Sequence, residues 1–407
     1  GTGGGDDGGG YAVPDVGGGS TGLLGGQSSG SPADIRPPFP FASLVLAFAF
    51  LVPMNFVVQS YGSAMLDERI NRRGELLLVA PVSPTDIVAG KTLPYLGAML
   101  GLVSLVALAV GGGPVSVAAV LPVALTFLGA TFVGAMFARS FKELTFVTVS
   151  VSVFLTAYTF VPAIFTDVTP VALISPLTIV VRDLQGVGVT AGEYLFSTGP
   201  MYLVGLGLFV LGTGVYREED LFTQRPVPLK LLDALAARLH RPRSVAVVSA
   251  LSIPFVLLAE LLALALLFAV PQSVAVPVLL VVVAVVEELA KSLHVYAGFH
   301  EGPFDRDLRT ALVLGGLSGL GFFVGEKLLV VLQLVGLSTV PLGRTTAATA
   351  GVLPVGALLV APLALHVVTA SVSSTAATRG PRAYAGGLVV ATLLHAGYNF
   401  TVVTALG

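Results

Sequence analysis

An all-α polytopic membrane protein, with about ten transmembrane helices in two bundles, is the fold class that this 407-residue sequence predicts. Three observations carry the prediction. Hydrophobic residues make up 55% of the chain and charged residues 11%, about half the charge of an ordinary soluble domain. The mean hydropathy is +0.91. Apolar runs of about 20 residues, long enough to cross a bilayer as a helix, recur from about residue 40 to the end. Cysteine is absent, which excludes disulfide frameworks, thiolate zinc sites, iron–sulfur clusters and cysteine nucleophiles. A formal net charge of −2 argues against a nucleic-acid partner, and the composition makes the lipid bilayer the expected one.

Residues 1–38 are dominated by Gly, Ser, Pro and Asp without apolar periodicity. Such a segment cannot bury enough surface to offset its ordering entropy, so a flexible tail is expected. Gly1 stands where Met would, with no charged-then-apolar signal segment after it, so a further segment is expected upstream. The expected spans are 39–60, 92–111, 115–137, 143–165, 197–215, 246–270, 273–297, 310–336, 347–376 and 384–405. Arg69, Arg72, Arg73 and Lys91, then Arg139 and Lys142, then Arg217, Arg225, Lys230, Arg238, Arg241 and Arg243 fall in connections on one side. Arg306, Arg309, Arg379 and Arg382 join them if the spans alternate. By the positive-inside rule that side is cytoplasmic, which puts the tail and the C-terminus outside a plasma-membrane protein.

Residues 217–245 read as a cytoplasmic linker between a five-helix domain at 39–216 and a second at 246–407. Within it, Leu229 to Leu239 carries apolar residues at helical spacing flanked by Lys230 and Arg238, the pattern of a helix lying on a membrane surface. Histidines and paired acids inside spans occur only in the second half, so the two halves are expected to do different jobs.

In the first half, residues 61–94 read as a charged helical segment, an apolar patch and a Ser-Pro-Thr-Asp turn. Asp67 to Pro94 resembles the signature cytoplasmic segment of type-2 ABC-transporter permeases, and Arg139 to Glu143, Ile174 to Arg182 and Tyr216 to Phe222 fit the same pattern. The resemblance covers roughly residues 40–225 and implies a docking surface for a separate ABC ATPase subunit at 61–91. In that family a large extracytoplasmic domain precedes this region, where here a Gly-rich stretch stands. Gly90-Lys91-Thr92 is not a phosphate loop: the required upstream glycine would fall at Thr85, and the segment begins a span.

In the second half, VVVAVVEELAKSLHV puts Glu287 and Glu288 inside a span, where an ionised carboxylate costs several kcal/mol unless paired or hydrated. Lys291 lies one turn on and can neutralise one of them. Phe322 and Glu326 share a helical face in the next span, His366 lies in the one after, and His395 and Asn399 face the same way in the last. Carboxylates with imidazoles are the parts needed to activate water for hydrolysis of a carbonyl. Glu287, Glu326, His366 and His395 are equally a donor set for a divalent metal such as zinc, and the residues alone leave both chemistries open. Adjacent Glu287 and Glu288 point about 100° apart on a helix, so one is expected to act on water and the other to orient it.

The four motifs, EELAK, FFVGE, the His366 span and HAGYNF, resemble in order those of the PrsW intramembrane proteases, relatives of the CAAX prenyl proteases, over residues 246–407. The wider superfamily often has Arg after the paired Glu and His in the second motif; Lys291 and Glu326 match the PrsW branch. The resemblance implies that Glu287 is the general base or metal-site acid, Glu288 and Glu326 its partners, His366 and His395 ligands or transition-state donors, and Asn399 an aid to His395. It also implies a membrane-anchored protein substrate and regulated intramembrane proteolysis. Two competing readings stand beside this one. A transporter would use the same buried groups as an ion or proton relay, and a rhomboid-type serine protease would use Gly316-Leu317-Ser318-Gly319 with His366 or His395 as base. Tight helix packing is the expected use of those small residues. His240, His294 and His300 are expected at the cytoplasmic rim, and Glu260, alone in its span, is left unassigned.

Overall fold

A computed structural model describes residues 41–71, 81–164, 169–214, 225–267, 270–336 and 355–406. The tail at 1–38, Arg72, Arg73, Arg217 and the Tyr216 to Phe222 segment lie outside them. The described residues form helices and connecting turns: α1 Phe41–Ala49, α2 Leu51–Ile70, α3 Pro84–Val110, α4 Pro114–Phe137, α5 Phe141–Ala163, α6 Thr169–Ala172, α7 Pro176–Leu184, α8 Ala191–Gly214, α9 Val227–Ala236, α10 Pro242–Leu267, α11 Gln272–His300, α12 Leu308–Gly336, α13 Val355–Ala377 and α14 Pro381–Leu406. Ten spans among the described residues are long and apolar enough to cross a bilayer, α1 and α2 together making the first.

Helix ends differ from the hydropathy-based limits because caps, not apolarity, set them. The Ser-Pro-Thr-Asp segment is the N-terminus of α3 rather than a free turn. Ser83 accepts from the Asp86 amide at 3.1 Å, Asp86 accepts from the Ser83 amide at 3.2 Å, and Pro84 takes the first helical position. The second span therefore starts eight residues before 92. Thr190 and Glu193 make the same reciprocal pair at 3.3 and 2.9 Å and start α8 before residue 197. At the other end of the first span, α2 runs on through the charged stretch to Ile70, where Lys91 pairs with Glu68.

Basic side chains close several helix C-termini. Lys230 is buried and donates to the Met136 carbonyl at the end of α4 at 3.2 Å, Arg238 donates to Val210 and, at 2.9 Å, to Thr213 near the end of α8, and Arg306 donates to Phe299 near the end of α11 at 2.9 Å. Carbonyls left over in a last turn, together with the negative end of the helix dipole, favour such partners. The linker helix α9 is thus docked on both halves. Leu232 of α9 and the nearby Leu239 pack with Val245, Val295, Phe299 and Tyr384.

The two halves share one apolar core. It runs from Phe50, Phe127, Phe132 and Tyr158 of the first half to Leu257, Leu261, Leu264, Leu279 and Val283 of the second without a break. Within the second half, glycines set the approach of α12 to its neighbours. A Cβ on Gly315 or Gly319 would strike the α13 backbone at Ala370 and Ser371, or at His366 and Val367. One on Gly321 or Gly325 would strike α10 at Ala246 or Ala250. Small residues let two backbones approach closely where lipid provides no hydrophobic drive.

Candidate active site in the membrane interior

Close packing of α10 to α14 brings their few polar side chains together. α11 contributes Glu287, Glu288 and Lys291, the lysine lying four residues after the first acid and three after the second and so within reach of both. α12 adds Phe322 and Glu326, α13 His366, α14 His395 and Asn399, and α10 Glu260; all of them are buried.

Two imidazole–carboxylate pairs define the centre. His395 Nδ1 lies 2.8 Å from Glu288 Oε1, and His366 Nε2 lies 3.1 Å from Glu326 Oε2. An ionised carboxylate only accepts, so a neutral ring carries its proton on the nitrogen facing the carboxylate and its lone pair on the other. Those other nitrogens, His395 Nε2 and His366 Nδ1, face one atom, Glu287 Oε2, at 3.7 and 3.9 Å. His395 Nε2 and Glu287 Oε2 are buried without a hydrogen bond among the described residues. An unpaired buried polar atom costs about 1–3 kcal/mol, so two facing each other mark a place made for something between them.

Lys291 supplies a cation beside these donors. Its ammonium is 2.6 Å from Glu288 Oε1, 2.9 Å from His366 Nδ1, 3.7 Å from Glu287 Oε2 and 4.9 Å from the Phe322 ring centroid. Glu288 is thus its main partner. Phe322 also packs on the His366 ring, centroids 5.1 Å apart, and walls the site on that side. Lys327, which the sequence reading passed over, reaches Glu326 Oε1 at 2.8 Å; the signal was a basic residue directly after a buried acid.

One ligand atom from each of Glu287, His366 and His395 fits within 4.8 Å of the others. A carboxylate and two neutral imidazoles, with outer carboxylates orienting the rings, suit zinc and leave a coordination position open. The unpaired atoms fit such an ion. Glu326, placed with these ligands on sequence grounds, is engaged by His366 and Lys327 and stands behind His366 as its outer partner. Asn399 is buried one turn after His395 and makes no hydrogen bond to the cluster among the described residues.

Ser318 points away from both site histidines. Its hydroxyl donates to the Lys291 carbonyl at 2.6 Å and contacts Ser249 at 3.2 Å and His294 at 3.5 Å, so it ties α10, α11 and α12 together. His294 is itself buried. Glu260 was legible as a lone acid in a span, but its relevance depends on the α10–α11 contact, which no local spacing encodes.

Residues 243–407 match the family described as PrsW family intramembrane metalloprotease, a stretch running from the first turn of α10 to the end of the chain and holding every residue of the cluster. This gives the second half the character of an intramembrane metalloprotease domain in a multi-pass membrane protein. No curated protein and no solved structure matches the chain.

Proposed function

We propose that this chain is an intramembrane endopeptidase that hydrolyses peptide bonds of membrane-anchored proteins at the cluster on α11 to α14. The convergence of His395 Nε2 and His366 Nδ1 on Glu287 Oε2 inside the bilayer-spanning bundle supports this best. Glu287, His366 and His395 would hold a divalent ion, which would supply a Lewis acid for a peptide carbonyl and lower the pKa of bound water. Glu288 and Glu326 fix the tautomers of the two rings. Glu288 Oε1 is held by Lys291 and His395 while its Oε2 is buried and uncommitted, so Glu288 is placed to take a proton from the attacking water and pass it to the leaving amine. Phe322 limits water access, and Lys291 offsets the charge that Glu288 carries.

The Lys291 ammonium, 2.9 Å from His366 Nδ1, favours a second reading in which no metal is needed and Glu287 itself is the base. Zinc analysis of the purified protein separates the two: near-stoichiometric metal is expected, and full activity without it would leave the glutamate mechanism. The main test compares soluble fragments released from membranes with those released by the Glu287→Ala, Glu288→Ala variant. Fragments unique to the parent are expected, and identical profiles from two folded proteins would shift the reading to transport.

For the first half we propose a permease-like module, supported by the sequence pattern from Asp67 to Pro94, in which Lys91 pairs with Glu68. An ATPase should crosslink to residues 61–91. Regulated proteolysis, with both termini extracytoplasmic, completes the proposal.

A further inference from the structure

α14 meets its neighbours along one narrow face. Tyr384, Leu388, Ala391 and His395 follow at steps of four, three and four. Tyr384, Ala391 and His395 are buried, while Val389, Val390, Leu393 and Leu394 between them are exposed. An apolar face of this kind decides which side of a helix turns inward, but it sets only loosely how far the helix slides along its neighbour, and lipid adds no hydrophobic drive. The axial setting has to come from directional contacts. Among the described residues, polar contacts join α14 to α11 at two levels. One is the site itself, where His395 Nδ1 lies 2.8 Å from Glu288 Oε1. The other is the first turn of α14, where the Tyr384 hydroxyl lies 2.9 Å from Ser292 Oγ.

This second contact has a defined direction. Ser292 stands one turn after Glu288, and its hydroxyl donates to the Glu288 carbonyl at 2.7 Å. That uses its single hydrogen, so Tyr384 is the donor to Ser292 Oγ. The Tyr384 ring stacks on Tyr296, one turn further along α11, with centroids 4.4 Å apart and planes inclined by 7°. The Tyr384 amide donates to the Gly380 carbonyl at 2.9 Å, and Gly380, at φ 105°, makes the turn that starts α14.

We infer that Tyr384 is a positioning residue: its hydroxyl, held on Ser292, sets the register of α14 on α11 so that His395 Nδ1 meets Glu288 Oε1 and His395 Nε2 turns to Glu287. A slip of one residue moves a helix about 1.5 Å and turns it about 100°, which swings the imidazole off its carboxylate. The inference rests on the metalloprotease reading and adds Tyr384 and Ser292, which lie outside its four motifs.

In the test the full chain is purified in detergent, stripped with a chelator and titrated with Zn²⁺ against a competing chromophoric chelator. The parent is expected to bind one zinc and Glu287→Ala to lose it. Tyr384→Phe keeps a ring against Tyr296 and removes only the donor. It and Ser292→Ala are each expected to bind about 2- to 10-fold more weakly, the range that one neutral hydrogen bond supplies when it holds a binding-competent arrangement. The double variant is expected to match Ser292→Ala, because both changes remove the same bond. Parent-like affinity in Tyr384→Phe, with or without a lowered unfolding temperature, would make the bond a tether without a hold on the site and overturn the proposal. A double variant weaker than Ser292→Ala would overturn it as well.

A second readout needs no metal. His395→Ala, or His395→Leu should the first not fold, is expected to shift the unfolding temperature of the stripped chain less in a Tyr384→Phe background than in the parent, because the pairing it removes is already loosened. Equal shifts would overturn the proposal. A parent that binds zinc no better than Glu287→Ala would overturn the metalloprotease reading, and the stripped-chain comparison would then decide the register role alone.

Discussion

Lys291 has no exposed surface, and its ammonium is in contact with Glu288, His366 and His395 at 2.6, 2.9 and 3.4 Å. Lys327 makes a similar ion pair with Glu326 at 2.8 Å, but with its side chain 22% exposed. Removing one member of a buried pair strands the other charge and costs about 3–5 kcal/mol, and that cost falls as the pair becomes more accessible. Lys291→Met should therefore lower the thermal unfolding temperature much more than Lys327→Met. Equal shifts would show that the environments differ less than their geometry implies. The residues of this cluster were visible in the sequence because a charge or an imidazole inside an apolar run has a solvation cost that composition alone reveals. Their pairings were not: which imidazole nitrogen faces which carboxylate depends on how four helices cross.

At the scale of the helix, Gly319 and Gly316 give a paired comparison. A Cβ on Gly319 would meet the His366 carbonyl and the Val367 backbone, while one on Gly316 would meet nothing. Overpacking of this kind typically costs about 1–3 kcal/mol, and an unopposed Gly→Ala in a helix gains up to about 1 kcal/mol. Gly319→Ala should lower the unfolding temperature and reduce fragment release by displacing His366, and Gly316→Ala should leave both unharmed. If both variants behave alike, α12 and α13 are not held at their glycines. The apolar slab of each span was legible in the sequence, since about 20 apolar residues have few other fates. The ends were less so: Ser83 with Asp86, and Thr190 with Glu193, extend α3 and α8 by hydrogen bonds that hydropathy does not register. The short helix α7 was missed as an element because at nine residues it is too short to cross a bilayer, although Asp183 near its end accepts from the Gly113 and Ser116 amides and so anchors the start of α4.

For the molecule as a whole, the linker helix packs against both halves. Leu232 of α9 and the nearby Leu239 pack onto the second bundle against Val295 and Phe299. A fragment from residue 225 to 407 should unfold at a higher temperature in detergent than one from 243 to 407. Coincident melting curves would detach α9 from that bundle. The first half also contributes to the shared core, and the Phe255 ring of α10 packs directly on Gly207 of α8. Bodies that rock against each other need a seam that can part, and an extensive apolar contact resists parting. Here the seam is welded along α8 and α10, and α10 is also the helix that carries Glu260 and touches α12. The α12 contact carried by α10 is therefore held by the same packing that holds α8.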